Sequence, residues 1–359
     1  MRAPRLAPAL LVLVAAGALI AGCGGDDGDG ESTATGAQTA PSLPAPPKSK
    51  FPSARNRTLR QVLKAAEEPA EAVITPAAQV FYPGVNRYPF GVADREHGGV
   101  DDAEVALYFA KVPSADPEER SKSGNRGPVA KAEEQALDRP AVGPFPASIE
   151  SLATDPAFRA DSTVEDPDAA QVVYSAQLDL PSQGNWRLAA IIREDGELRG
   201  TLLPSAAVGE FKRIPRVGEK APLIHTPTAQ DVNGELSKIT TRIPPDTQNK
   251  VDYAEALGKE PIVLLFATPE FCQSRVCGPV VDVAEQAKKE YGDKAAFIHM
   301  EIYNDNDPAQ RVRPQVRAFH LPAEPYLFSI DRRGIVRAAV EGAFGLDLMH
   351  EAIDEAIAE

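Results

Sequence analysis

Short apolar runs separated by turn-forming residues fill the first half of the chain. Three of these runs are rich in Val, Ile, Leu and aromatic residues: 103–112, 169–180 and 185–195. Such composition predicts β-strands, and Asp195-Gly196, followed by another strand-like run, predicts a hairpin turn. We therefore expect residues 56–214 to form a mostly antiparallel β-sandwich of the Ig-like kind.

The second half of the chain alternates between strand and helix patterns. Strands are predicted at 261–268, 295–303, 325–331 and 334–342, and helices at 280–292, 308–319 and 346–358. This order predicts an α/β sheet with helices on both faces. Two prolines and a glycine within 215–224 mark the entry to this part. The expected fold class is thus a two-domain protein with an α/β domain over 215–359.

The first residues have the layout of a secretory signal. Arg2 and Arg5 precede an apolar run over 6–20, which is too short to span a bilayer comfortably. The small residues that end this run stand directly before Cys23, and they resemble the lipobox of bacterial lipoproteins. The resemblance implies that residues 1–22 are removed and that Cys23 carries a diacylglycerol at the outer face of the cell membrane. The alternative is an ordinary signal peptide.

Residues 23–55 contain mainly Gly, Ser, Thr, Asp, Ala and Pro, with very few residues to bury. This composition predicts a disordered tether between the membrane anchor and the folded part. The formal net charge of the chain is -14, which disfavours binding to nucleic acid because the phosphate backbone is also negative.

Two of the three cysteines, Cys272 and Cys277, lie in the segment FATPEFCQSRVCGP, between a predicted buried strand and a predicted helix. A helix N-terminus lowers the pKa of a cysteine, and Arg275 is expected to add positive potential there. A second cysteine within reach can resolve a mixed disulfide. Outside the cytoplasm such a pair can be oxidised.

The 215–359 region resembles the thioredoxin-like superfamily, including its redoxin and membrane-anchored thiol–disulfide branches. The resemblance rests on the strand PIVLLFA, a helix beginning near Cys277, and the loop HLPAEPYLF. It implies that Cys272 is the nucleophile, that Cys277 resolves, and that Pro325 is a cis-proline that shapes the substrate groove. The family spaces its cysteines as Cys-x-x-Cys, whereas this chain has Cys-x4-Cys.

Other alignments with this superfamily remain open. Cys277 can be placed on the family's first cysteine, with the second cysteine lost and Cys272 added. The spacing of five also resembles some peroxiredoxins, but Pro269 stands where those proteins have Thr. Leu265 stands where the thioredoxin-like family has a buried acid.

The sequence therefore predicts an enzyme, a thiol–disulfide oxidoreductase that acts on exported proteins and needs no cofactor beyond its redox-active disulfide. One alternative is copper binding by Cys272 and Cys277 together with His320 or His299, because thiolates favour Cu(I) and imidazole is a common partner. A second is a non-catalytic scaffold with a structural disulfide. A thiol peroxidase is the weakest of the alternatives.

Overall fold

The computed structural model describes residues 40–66, 68–96, 98–114, 126–166 and 168–358. Residues from Thr39 onward belong to one compact unit. The predicted signal peptide (1–22), Cys23 and the part of the tether up to residue 39 lie outside the described residues. Within the described ranges, the helices are all too short or too polar to cross a membrane.

Among its described residues, the first half contains three α-helices and nine strands. The helices are α1 (Leu59–Leu63), α2 (Arg126–Ala136) and α3 (Asp161–Val164). The strands are β1 (Glu68–Pro69), β2 (Val73–Pro76), β3 (Gly84–Ala93), β4 (Glu104–Lys111), β5 (Val142–Pro146), β6 (Ser148–Ser151), β7 (Val172–Leu180), β8 (Gly184–Glu194) and β9 (Glu197–Val208).

These strands form two sheets, ordered β1-β9-β8-β4-β5 and β2-β3-β7-β6. Apolar side chains from both sheets share one buried core, in which Phe90 and Tyr174 stack at 5.4 Å and Phe109 meets Trp186 edge-on at 5.3 Å. The sheets are not purely antiparallel, since the short β1 pairs with β9 in parallel. The Ig-like layout stays a prediction.

The hairpin predicted at Asp195-Gly196 is confirmed. It joins β8 to β9, whose antiparallel register runs from Glu194 opposite Glu197. Asp195 and Gly196 have φ of 51° and 83°. Both lie in the left-handed region that Asp and Gly tolerate better than other residues, which explains why this pair signals the turn.

The tether predicted over 23–55 does not hold for its described part, residues 40–55. Leu43 exchanges two backbone hydrogen bonds with Ile149, at 2.8 and 2.9 Å. Phe51 and Ala54 are buried, and the hydroxyl of Tyr108 donates to the carbonyl of Pro52 at 2.7 Å. A few apolar residues among the prolines are enough to anchor this extended segment on the first half.

In the part that the structure describes, the second half contains four strands and four α-helices. The strands are β10 (Ile262–Phe266), β11 (Ala296–Met300), β12 (Tyr326–Ile330) and β13 (Val336–Glu341). The helices are α4 (Tyr253–Ala256), α5 (Cys277–Tyr291), α6 (Pro314–Ala318) and α7 (Leu346–Ile357). The sheet order is β11-β10-β12-β13, with β10 parallel to β11 and the other pairs antiparallel.

Helices cover both faces of this sheet, as predicted. Side chains alternate across the pleat of β10, so Val263 and Leu265 join a core with α5 and α7. Ile262, Leu264 and Phe266 join a second core with residues of α4 and α6. A strand that is buried on both faces reads as a continuous apolar run, which is the pattern of IVLLF.

The two halves also share a core. Leu152 and Val173 of the first half pack in the same cluster as α5 and both cysteines. The backbone N–H of Ala160 donates to Asp282 of α5 at 3.1 Å, and that of Asp155 donates to Gln286 at 2.8 Å. The segment between β6 and β7 therefore packs along α5. The boundary predicted at 214/215 lies within the compact unit, and the separation into two domains stays a prediction.

Candidate functional site

The two cysteines lie at the junction of β10 and α5. Ala267 and Thr268 continue β10 as buried residues, and the chain then turns before α5 begins at Cys277. Cys272 is in this turn and is 4% exposed, whereas Cys277 is completely buried. Both are free thiols. The prediction that Cys272 precedes the helix is confirmed.

The sulfur of Cys272 occupies the position of a helix cap. The N-cap residue, Val276, has no polar side chain, and the backbone N–H of Cys277 donates to Cys272 Sγ at 3.3 Å. Pro279 contributes no N–H, so the first turn has fewer unpaired donors to satisfy. Ser274 Oγ lies 3.4 Å from the same sulfur. Negative charge on Cys272 is thus stabilised by local donors and by the helix dipole.

These contacts shift the pKa values of the two thiols in opposite directions. A hydrogen bond from the Cys277 thiol lowers the pKa of Cys272 to about 6. Burial opposes this shift, and hydrogen bonds from Ser274 and from backbone N–H groups support it. Burial, together with donation to the Cys272 sulfur, raises the pKa of Cys277 well above its ordinary value. Near neutral pH the pair therefore consists of one thiolate and one thiol.

Arg275 is paired with an acid of the first half, and its predicted effect on the Cys272 thiolate stays a prediction. It adopts a left-handed conformation with φ of 56° in the exposed part of the turn, and its guanidinium forms an ion pair with Asp166 at 3.1 Å. Its carbonyl accepts the backbone N–H of Ala170 at 3.2 Å. Because its charge is paired with an acid of the first half, Arg275 connects the cysteine turn to the segment between β6 and β7.

The loop before β12 approaches the cysteines from the other side. The Glu324–Pro325 peptide bond is cis, as the resemblance implies for Pro325. Burial, and then the charge of Cys272, raises the pKa of Glu324, and the charge of Glu324 contributes to the raised pKa of Cys277. The ring of Tyr303 meets that of Phe271 edge-on, with 6.3 Å between the ring centroids. Burial raises the pKa of Tyr303, and the charges of Glu324, Cys272 and Cys277 raise it further.

A buried polar network lies beside β10 and β11. His299 Nδ1 lies 2.8 Å from Asp246 Oδ2, and its Nε2 lies 3.1 Å from the carbonyl oxygen of Ala267. Burial disfavours a charged imidazole, but the Asp246 carboxylate outweighs it and raises the pKa of His299 to about 9. Glu301 is completely buried and accepts two hydrogen bonds from Thr241, each 2.6 Å long.

The two histidines named for the metal-site alternative lie in different surroundings. His299 is engaged by Asp246 and Ala267, and His320 is exposed, with φ of 54°, beside an open cavity of about 390 Å³. Across the described ranges, no group of three or more His, Cys, Asp or Glu side chains is placed to hold a metal ion.

Sequence reasoning missed four residues that surround the pair. Ser274 and Glu324 carry no periodic signal, although Ser274 stands between the cysteines and Glu324 stands directly before the predicted cis-proline. Asp166 and Tyr303 are remote in sequence from the cysteine turn, and only the folded chain brings them to it. The position of Glu324 in the proline loop was the one usable signal.

Comparison with protein-family models and with curated proteins finds no match. Among solved structures, one similar chain is a thioredoxin-like superfamily protein, SPOA0173, at 16% identity, covering 31% of this chain and 87% of that one with a TM-score of 0.25. Another is Trgpx in apo form, at 17% identity, covering 38% of this chain and 95% of that one, also with a TM-score of 0.25. Scores this low do not establish a common fold.

Proposed function

We propose that this chain is a thiol–disulfide oxidoreductase in which Cys272 attacks and Cys277 resolves. The observation that supports this most directly is the contact between the two thiols at the start of α5. One of them is ionised near neutral pH and the other stays protonated. A thiolate is the nucleophile in disulfide exchange, and a neighbouring thiol can release the bound product.

The reaction proceeds in two steps that transfer two electrons. The Cys272 thiolate attacks one sulfur of a substrate disulfide, and the first substrate thiolate leaves. Cys277 then loses its proton and attacks the Cys272 sulfur, so the second substrate thiolate leaves and a Cys272–Cys277 disulfide remains. The substrate disulfide is reduced and the protein dithiol is oxidised. In the reverse direction the protein disulfide oxidises a substrate dithiol. To Pro325, the cis-proline of the loop before β12, we assign the role that the resemblance implies, which is to shape the groove for the substrate backbone.

We further infer that the protein acts outside the cytoplasm on thiols and disulfides of exported proteins. This inference rests on the sequence: a charged and then apolar leader ends in small residues directly before Cys23. Acyl chains on Cys23 would hold the protein at the membrane surface by burial in lipid.

The reduction potential of the Cys272–Cys277 pair tests this function. In a Cys23→Ser background these are the only two thiols, and the full chain can be equilibrated with glutathione and dithiothreitol buffers. We expect a potential between about -120 and -270 mV, within the range of thiol–disulfide catalysts. Cys272→Ser is expected to abolish reduction of a protein disulfide, whereas Cys277→Ser is expected to trap mixed disulfides on Cys272.

A structural disulfide would give a different result. A potential below about -300 mV would mark a bond that resists reduction by such buffers. Together with full activity in Cys272→Ser, it would exclude the proposed chemistry.

A further inference from the structure

The segment over residues 48–66 differs sharply in charge from the rest of the chain. It contains six Lys and Arg residues and no Asp or Glu. Because the whole chain has a formal net charge of -14, these six charges leave -20 for all other residues. A basic stretch in an acidic protein indicates a surface that attracts an anionic partner, while the remaining surface repels it.

The fold adds a further arginine to this segment. The backbone N–H of Ala141 donates to the carbonyl of Arg57 at 2.9 Å, which places the chain after Arg139 beside the basic segment. Arg55 and Arg57 line an open cavity of about 590 Å³, and residues 140–143 line it as well. Arg139 stands directly before this range. We call the three exposed arginines Arg55, Arg57 and Arg139 the basic patch.

The charges of the basic patch are available to a partner. Within the part of the chain that the structure describes, none of its three guanidinium groups forms an ion pair. The acids closest in sequence to Arg139 are Glu134 and Asp138, and both pair with Arg60, at 2.7 and 2.8 Å. The positive potential of the patch is therefore not cancelled by these carboxylates.

The basic patch and the cysteine pair lie on opposite sides of the first half. On β4, Tyr108 packs with Leu59 of the basic segment, whereas Leu107 faces the core between the two sheets. On β7, Tyr174 faces that core, whereas Val173 packs with the cysteine pair. Two sheets thus separate the patch from the cysteines, a distance of about 30 Å at roughly 10 Å for each packed layer.

A membrane that contains anionic lipids is the partner that this arrangement favours. Residues 24–39 separate the predicted anchor Cys23 from Ala40, and they reach at most about 55 Å when fully extended. An acylated Cys23 would therefore hold the patch close to the lipid surface, at high effective concentration. Basic residues next to a membrane anchor are attracted to anionic headgroups, and the attraction decays within a Debye length of about 8 Å.

We propose that the basic patch docks the protein onto the phosphate groups of an anionic membrane surface, with the cysteine pair turned away from the lipid. The same surface repels the acidic remainder of the molecule, so charge selects this orientation. The cysteine turn then faces the space that contains exported proteins. This inference goes beyond the proposed thiol chemistry and rests on the proposed position of the protein at the membrane.

Sedimentation with lipid vesicles tests the proposal. The compact unit begins at Thr39, so a chain that begins at Gly24 retains all of it and lacks the predicted leader and anchor. At about 0.02 M salt, we expect at least about tenfold tighter binding to vesicles of equal parts phosphatidylglycerol and phosphatidylcholine than to phosphatidylcholine alone. About 0.5 M NaCl should abolish the difference, because it shortens the Debye length.

Substitution of the patch identifies the residues responsible. Arg55→Gln, Arg57→Gln and Arg139→Gln together should weaken binding to the anionic vesicles by about 100-fold, at about fivefold for each charge. The matched control removes three exposed cations of the second half, by Lys259→Gln, Lys289→Gln and Arg332→Gln. It lowers the net charge equally and should weaken binding by less than about threefold, because these charges do not face the lipid. Circular dichroism verifies that each variant is folded.

Equal binding to the two kinds of vesicle, or equal weakening by the two triple variants, would overturn the proposal. Loss of vesicle binding in inorganic phosphate at constant ionic strength would overturn it too, because the patch would then hold a soluble anion. If the triple variant of the patch fails to fold, the single variants decide, each with an expected weakening of about fivefold. None of these outcomes bears on disulfide exchange, since every variant retains Cys272 and Cys277.

Discussion

Cys272 combines near-complete burial with a low pKa, and hydrogen bonding explains how both can hold. Burial alone would favour the neutral thiol, since a buried charge loses its hydration. The donors around the sulfur, from the Cys277 thiol, Ser274 and backbone N–H groups, outweigh this cost. The acidity of Cys272 is therefore a property of the turn between β10 and α5.

The pH dependence of alkylation tests this account of Cys272. Only the thiolate reacts with iodoacetamide, so the rate at Cys272 should be low below its pKa and reach a plateau above it, with a midpoint at about pH 6. Ser274→Ala should move the midpoint upward by roughly 0.5 to 1 unit, because it removes one hydrogen bond to the charged form. Peptide mass spectrometry identifies the modified cysteine.

Gln273→Ala is the control for this measurement, because it shortens an adjacent exposed side chain and should leave the midpoint in place. A midpoint near 8.5, the value of an ordinary thiol, would show that the turn does not stabilise the thiolate.

The sequence predicts the two sulfurs and the helix start, but not the groups that tune them. The cysteine spacing and Gly278-Pro279 are local signals, and local signals are sufficient to place a helix N-terminus. Arg275 was chosen because it is close in sequence, yet its partner is Asp166, which is more than a hundred residues away. Ion pairs between remote residues depend on tertiary contacts that no local pattern encodes.

At the scale of elements, the segment between β6 and β7 covers the cysteine turn. It supplies Asp166 to the guanidinium of Arg275 and Ala170 to its carbonyl, and Thr163 lies so close to Gly278 that an added Cβ would meet its hydroxyl at 2.9 Å. This packing explains why both cysteines are buried. Access of solvent and reagents to the Cys272 sulfur is therefore restricted in this arrangement.

Asp166→Asn should increase access to Cys272. The substitution removes the ion pair with Arg275 and keeps the oxygen that accepts the backbone N–H of Asp168. An ion pair this exposed contributes at most about 1 kcal/mol, so we expect the alkylation rate on the pH plateau to rise by up to about fivefold. High salt should produce a similar increase in the unmodified protein but not in the variant.

Asp168→Asn, an equal change at an exposed neighbour, serves as the control and should not alter the rate. Equal rates for Asp166→Asn and the unmodified protein would mean that the segment does not limit access.

The elements themselves were predictable to different degrees. The four strands and two of the predicted helices of the second half match their predicted positions because apolar periods dominate there. The helix predicted at 308–319 is confined to Pro314–Ala318, and the helix Tyr253–Ala256 was not predicted. Residues 40–55 were wrongly expected to be disordered, since their composition gives no sign that Leu43, Phe51 and Ala54 find sites on the first half. The helix Arg126–Ala136 has no counterpart among the predicted elements, because an Ala-rich, polar sequence gives a weak amphipathic signal.

At the scale of the whole molecule, a buried arginine of the second half, Arg242, joins the two halves. Arg242 donates to Asp282 of α5 at 2.9 Å and to the carbonyl of Phe158, in the segment between β6 and β7, at 2.7 Å. Both charged side chains are almost fully buried. The guanidinium thus donates hydrogen bonds to acceptors in both halves. The two halves also share the core that contains Leu152 and Val173.

This connection predicts that the halves unfold together. The chain has one tryptophan, Trp186, which is buried in the first half, while the buried Cys277 belongs to the second. In urea, under reducing conditions, tryptophan fluorescence and pulse labelling of Cys277 should report one coincident transition. Arg242→Ala leaves Asp282 buried without its partner, so it should lower the free energy of unfolding by about 3 to 5 kcal/mol in both probes.

Arg216→Ala, which removes an exposed arginine paired with Glu219, should cost less than about 1 kcal/mol. If Arg242→Ala shifts the Cys277 transition and leaves that of Trp186 in place, the halves are independent domains, and the cover over the cysteines can open without unfolding the first half.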